Sequence, residues 1–121
     1  MKLSDKEWQV LEVLWQAADG LSLGQVVEAL RPATGWSRNT VLTYLTRMEA
    51  KGLVVIDKTA APHRYRAGVD REACAAQERQ GLLDRVYQGS AGRLVAAFLK
   101  EEKLTAQERE ELRKLLDDME V

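Results

Sequence analysis

Residues Trp36 to Gly52, WSRNTVLTYLTRMEAKG, carry a helix start, a helix stop and two unlike faces within one short stretch. Ser37 is of the type that caps a helix by accepting a backbone N–H bond, and Trp36 before it is placed to staple onto Val41. Lys51 puts positive charge in the last turn, and Gly52 is free to take the left-handed conformation that closes a helix. At 100° per residue, Val41, Leu45 and Met48 fall on one narrow side, with Leu42 and Tyr44 at its margins. That side must be buried. The opposite side collects Asn39, Thr40, Thr43, Thr46, Arg47 and Ala50, whereas an ordinary solvated face more often alternates Glu and Lys.

The chain before this helix prepares the same architecture. Ser4-Asp5-Lys6-Glu7 is a capping box flanked by Leu3 and Trp8 as a hydrophobic staple, and it opens a helix in which Trp8, Leu11, Leu14 and Trp15 recur at helical spacing. This helix is expected to stop near Asp19-Gly20. The device recurs at Leu21-Ser22-Leu23-Gly24-Gln25-Val26, and the second helix is expected to end at Pro32, with residues 32–35 turning the chain into the third. Beyond Gly52, Leu53-Val54-Val55-Ile56 is β-branched and apolar, Asp57 to Pro62 reads as a hairpin loop, and His63-Arg64-Tyr65-Arg66-Ala67 alternates in type. Three helices followed by a two-stranded ribbon predict a winged helix-turn-helix.

Charge is distributed accordingly. The formal net charge is −1, yet from Arg31 to Arg66 the cations Arg31, Arg38, Arg47, Lys51, Lys58, Arg64 and Arg66 face only Glu49 and Asp57. From Val69 onward acids outnumber bases. A basic middle beside an acidic tail is the pattern of a small DNA-binding module joined to a solvated helical one. Thr, Asn and Arg reach base edges and phosphates in a major groove, where bulk prevents close approach. The expected base-edge contacts are Asn39, Thr43 and Arg47, with Thr46 beside them. Arg38, Thr40, Lys51 and the wing cations Lys58, Arg64 and Arg66 are the expected phosphate contacts.

From Asp70 the pattern changes to charge-rich helices. Asp70 can cap a helix bearing Cys74, Ala75, Leu82, Leu83, Val86 and Tyr87, broken near Gly89; Ser90 can cap another with Leu94, Val95, Phe98 and Leu99 on its apolar side. Thr105-Ala106-Gln107-Glu108 is a further capping box, opening a helix whose Leu112, Leu115, Leu116 and Met119 form one stripe. Three short helices cannot bury all these stripes among themselves, and isologous pairing of two copies is the commonest solution. The expected division is a winged-helix domain over residues 1–68 and a helical dimerisation domain over 69–121, mainly α overall. Its dimer contacts are Leu82, Val86, Leu94, Phe98, Leu112, Leu115, Leu116 and Met119.

Enzyme chemistry finds little support. The one His, His63, falls in the hairpin and the one Cys, Cys74, in a helix, with no nucleophile-base spacing around either and no metal-ligand cluster. Gly20 and Gly24 flank a helix cap rather than forming a phosphate loop after a strand. No cofactor or metal is expected. No apolar run approaches the roughly 20 residues that span a membrane, and Met1 to Ser4 leads straight into a helix cap, so a cytoplasmic protein without direct membrane association is expected.

These residues resemble the penicillinase repressors, a family that includes methicillin-resistance and copper-transport repressors, over nearly the whole chain. The likeness rests on Leu3-Ser4-Asp5-Lys6-Glu7-Trp8 with Val13-Leu14-Trp15, on Trp36-Ser37 with Thr40 to Arg47 and Lys51-Gly52-Leu53, and on Arg64-Tyr65-Arg66. Leu82-Leu83-Asp84-Arg85 with Gly89-Ser90, Phe98 with Glu101-Glu102-Lys103-Leu104-Thr105, and Glu110-Glu111-Leu112-Arg113 extend it. The resemblance implies a homodimeric repressor on a double-stranded dyad operator. For the beta-lactamase branch it implies release by a membrane sensor protease, cutting beside a Phe that matches Phe98. Ala97 stands where that branch's scissile bond carries Asn. The copper branch's cysteine cluster has no counterpart before Glu120-Val121, so copper release is not expected. Asn39 and Ala50 stand where many relatives carry Lys, and Ala61 where the wing commonly has Arg, which predicts fewer phosphate contacts. Two other readings share this fold: a winged helix that docks on protein, and a regulator gated by a small effector between the dimer helices.

Overall fold

The computed structural model describes residues 2–101 and 104–119; Met1, the Glu102 and Lys103 of the family resemblance, and Glu120 and Val121 lie outside them. Three helices come first: α1 (Asp5–Trp15), α2 (Leu23–Thr34) and α3 (Arg38–Ala50). An antiparallel ribbon of β1 (Val54–Asp57) and β2 (Arg64–Ala67) follows, then α4 (Arg71–Val86), α5 (Ala91–Lys100) and α6 (Ala106–Asp118). The protein is mainly helical, with the winged helix-turn-helix in its first part.

Local chemistry sets the helix starts. At α1 the Ser4 hydroxyl accepts the Glu7 N–H at 3.1 Å while the Glu7 carboxylate accepts the Ser4 N–H at 3.0 Å. The same reciprocal pair opens α2, between Ser22 and Gln25, and α6, between Thr105 and Glu108. Ser37 and Ser90 cap α3 and α5. Each such cap stabilises its helix by about 1 kcal/mol.

Two expected helix ends move. α1 closes at Trp15 rather than near Gly20, and two short turns fill the gap, with Ala17 N–H on the Leu14 carbonyl and Gly20 N–H on the Ala17 carbonyl. Gly20 sits at φ 86°, which swings Leu21 into antiparallel pairing with Tyr65. Pro32 does not end α2. The helix runs on to Thr34 and closes at Gly35, in the left-handed region at φ 65°. Pro32 removes only an N–H that would have met the carbonyl of exposed Glu28 in the last turn, a small loss so close to the end.

The core of the first part is drawn from every element in it. Val10, Leu11 and Leu14 of α1 meet Val26, Val27 and Leu30 of α2, Val41, Leu45 and Met48 of α3, and Leu53, Val54 and Tyr65 at the ribbon, with Leu3 joining from ahead of α1. The ribbon register pairs Val54 with Ala67, Val55 with Arg66, Ile56 with Tyr65 and Asp57 with Arg64. The main chain divides into two compact units, the first running through Gln77 and the second beginning at Glu78. The composition change at residues 68 and 69 lies within the first unit because the start of α4 is fastened there. The Trp15 indole N–H donates to the Val69 carbonyl at 2.9 Å, and Arg71 donates twice to Glu12, at 3.1 and 2.8 Å. The Arg71 guanidinium also lies 5.9 Å from the ring centroids of both Trp8 and Trp15, within cation–π range. In the second unit α4 closes through Gln88 and Gly89, both at positive φ, and no residue of α5 or α6 is buried.

Candidate nucleic-acid interface

The two faces of α3 separate as its periodicity requires. Val41, Leu45 and Met48 are completely shielded, whereas Arg38, Asn39, Thr43, Thr46, Arg47 and Ala50 are exposed and Thr40 is half-buried. At the entry, the Ser37 hydroxyl accepts the Thr40 N–H at 3.2 Å and lies 3.0 Å from the Thr40 hydroxyl. Trp36, expected on Val41, packs against the core cluster that contains Val41 and stacks on Tyr44, with ring centroids 4.7 Å apart and planes 6° from parallel. That stack covers the flank of the helix next to its polar face and adds about 0.5–1.5 kcal/mol beyond simple burial. The Thr43 hydroxyl donates to the Asn39 carbonyl at 2.9 Å, which fixes its rotamer and leaves its methyl and remaining lone pair for an external partner.

Arg38 stands at the head of α3 between two clefts. One is lined by the start of α2 (Ser22, Leu23, Gly24) together with Pro62, His63 and Tyr65 of the wing; the other includes Gly24, Arg31, Gly35 and Trp36. A Cβ at Gly24 would meet the Arg38 guanidinium only at 3.8 Å, an ordinary contact. Among the described residues Arg38, Arg47 and Arg66 have no carboxylate within ion-pair distance, although the charge of Arg66 acts on Asp57 across the ribbon.

The remaining expected cations have partners of their own. Lys51 places its ammonium 2.7 Å from the Glu7 carboxylate. Burial alone would raise the Glu7 pKa, but the hydrogen bond and charge of Lys51, with the bonds from Ser4, hold it below the usual carboxylate value. Lys58 approaches Glu49 at 3.6 Å, tying the wing loop back to α3. Arg64 donates to the Asp19 carbonyl at 3.2 Å and the Gly20 carbonyl at 2.7 Å. Within the loop, the Thr59 hydroxyl and N–H both bond Asp57 and depress its carboxyl pKa. Lys51 with Glu7, and Arg64 with Asp19 and Gly20, join residues 44 or 45 positions apart, so local sequence spacing does not show them. The basic run and the Thr/Asn/Arg face were legible; which cations are held inward was not.

Comparison with known proteins decides the family. The penicillinase repressor family model matches residues 3–118. This chain belongs to the penicillinase repressor family. Members of that family are transcriptional repressors, not enzymes. The methicillin resistance regulatory protein MecI of Staphylococcus aureus is 28% identical over 116 residues, spanning 96% of this chain and 94% of that protein. The penicillinase repressor of Bacillus licheniformis is 26% identical over 117 residues, spanning 97% and 91%. The solution structure of the Bacillus licheniformis BlaI monomeric form, in complex with the blaP half-operator, superposes with a TM-score of 0.52 at 26% identity, over 60% of this chain and 87% of that one. The likeness to a solved repressor agrees with the winged-helix architecture read from the core outward.

In the second unit, the residues expected at a dimer contact are open. Leu115, Leu116 and Met119 are 62%, 54% and 74% exposed, and Leu82 and Val86 are also exposed, while Leu94 and Leu112 are half-buried. Phe98 is half exposed on α5, next to half-buried Ala97.

Proposed function

We propose that this protein is a DNA-binding transcriptional repressor that acts as a homodimer on a dyad operator. The observation that carries the reading is the division of α3: an apolar side locked in the core and, opposite, a face of short polar side chains with an unpaired Arg47. Asn39, Thr43 and Arg47, with Thr46, are assigned to base edges; Arg38, Thr40, Lys58 and Arg66 are assigned to phosphates on either side. Lys58 reaches phosphate by exchanging its exposed contact with Glu49, which is worth little in water. Two copies are joined through the apolar stripes of the second unit, above all Leu112, Leu115, Leu116 and Met119, with Leu82, Val86, Leu94 and Phe98 contributing. Acting on DNA, the protein works in the cytoplasm; no helix among the described residues is long and apolar enough to cross a membrane.

Release by a membrane sensor protease is the remaining part of the proposal, with the Ala97–Phe98 bond as its site. The half-exposed ring of Phe98 supports recognition there. The bond lies inside α5, so cleavage requires that helix to open locally.

A gel-shift titration against the intergenic DNA beside its own gene, repeated at several salt concentrations, tests the central claim. The expected result is binding with a steep salt dependence and a loss of about 1–3 kcal/mol on Arg47→Ala, with relaxed sequence preference. Absence of binding at low salt would leave a winged helix that docks on protein.

A further inference from the structure

Two cations expected on phosphates are already engaged on either side of α1, one at its first turn and one in the loop that follows it. Lys51, the C-cap of α3, holds Glu7 in the first turn of α1. Arg64, which opens β2, holds the Asp19 and Gly20 carbonyls in the loop that leads from α1, which ends at Trp15, to the Ser22 cap of α2. We propose that Lys51 and Arg64 are positioning residues that make α1 and the loop after it a brace, fixing the angle between the reading helix and the wing, and that neither contacts phosphate. The proposal rests on the DNA-binding reading above and names how its surface is held in shape.

Energetics favour the brace over the phosphate at each end. Glu7 is the one buried charged side chain among the described residues, and both its oxygens are taken, one by the Ser4 N–H and one by Lys51. Lys51 is itself half exposed, but drawing it out to a phosphate would leave the shielded Glu7 carboxylate without its counter-charge. At the other end, the planar fork of Arg64 meets two successive carbonyls, a geometry that a single ammonium does not reproduce. The same place is stitched by the main chain, where Leu21 and Tyr65 exchange N–H bonds at 2.8 and 2.7 Å. Arg64 therefore clamps the wing where its second strand meets the loop after α1.

Glu7→Gln separates the two roles by sign. Gln keeps the capping box and removes a negative charge, so general electrostatics favours tighter DNA binding. A Lys51 destined for phosphate would be freed by the change and bind more tightly still. A brace predicts the reverse, a loss of roughly three- to tenfold. Arg64→Lys is the second arm: it keeps the charge a phosphate needs but loses the fork, and the brace predicts a comparable loss. In the third arm, Lys51→Met should leave the salt dependence of binding at the wild-type slope, whereas losing a phosphate contact lowers that slope by about 0.9.

Tighter binding by Glu7→Gln, a wild-type Arg64→Lys or a reduced slope for Lys51→Met would each overturn the proposal. If the wild-type protein binds no duplex, the DNA reading falls, and the brace is judged without DNA. Residual dipolar couplings of amides in α3 and the ribbon then report their mutual angle in wild type and Arg64→Lys. A changed angle supports the brace, and an unchanged one overturns it.

Discussion

The first compact unit and the second are built from the same signals and reach opposite ends. Both contain helices opened by side-chain caps, and the reciprocal box at Thr105 matches those at Ser4 and Ser22 bond for bond. In the first unit, apolar stripes close into a core of thirteen buried hydrophobic residues; α5 and α6 have none, although their stripes are just as regular. Capping and periodicity therefore establish that a helix forms and which side is apolar. Whether that side is covered depends on what stands opposite, and three short helices do not supply enough.

The widest gap between the units should appear on truncating one leucine in each. Leu45→Ala, at a fully shielded site, is expected to cost about 2–5 kcal/mol in chemical denaturation. Leu115→Ala, more than half exposed, should fall within about 0.5 kcal/mol in the dissociated chain, and its effect should grow with protein concentration if the stripe pairs with a second copy. Leu115→Glu sharpens the point: sedimentation should show single subunits, and intact dimers would remove the α6 stripe from the interface.

A smaller effect is expected where the first unit is closed by backbone approach. A Cβ on Gly68 would sit 2.8 Å from the Gly52 carbonyl oxygen and 3.2 Å from Val55. Gly68→Ala must push the ribbon away from the end of α3 and should destabilise by about 1–3 kcal/mol, read as a lowered thermal midpoint. No glycine of α5 or α6 meets backbone in this way; Gly92 faces only the Ser90 hydroxyl at 3.8 Å.

The smallest expected effect is a pH dependence confined to the first unit. Glu7 is depressed in the folded state, with the cost of burial outweighed by Lys51 and Ser4. Its contribution is thus complete above the unfolded carboxylate pKa and disappears as pH falls through the lower folded value. The stability difference between wild type and Glu7→Gln should shrink over that acid window and hold constant near neutrality. A difference that stays constant down through the acid range would show that the pair contributes no linkage.

How much was legible in the sequence follows the range of each interaction. The caps at Ser4, Ser22, Ser37, Ser90 and Thr105 act within three residues, so type and spacing suffice to find them. The buried side of α3 was equally plain, because Val41, Leu45 and Met48 obey a single period. Contacts across the fold left no such trace: Lys51 with Glu7, Arg64 with Gly20 and Trp15 with Val69 join residues separated by 44, 44 and 54 positions. The stack of Trp36 on Tyr44 left no trace either, because the spacing that suggests a staple to Val41 says nothing of ring orientation. Pro32 misled for a related reason, since its effect depends on how near the helix end it falls.

The closed start of α6 has one further consequence. Its first turn leaves few donors searching for water or for a neighbour, because Thr105 and Glu108 satisfy each other's amides. A segment shaped in advance gives up less disorder when it is engaged, so whatever surface comes to lie on Leu115 and Met119 meets a template rather than a coil. Grip there is set by fit between surfaces, with little lost to ordering the chain.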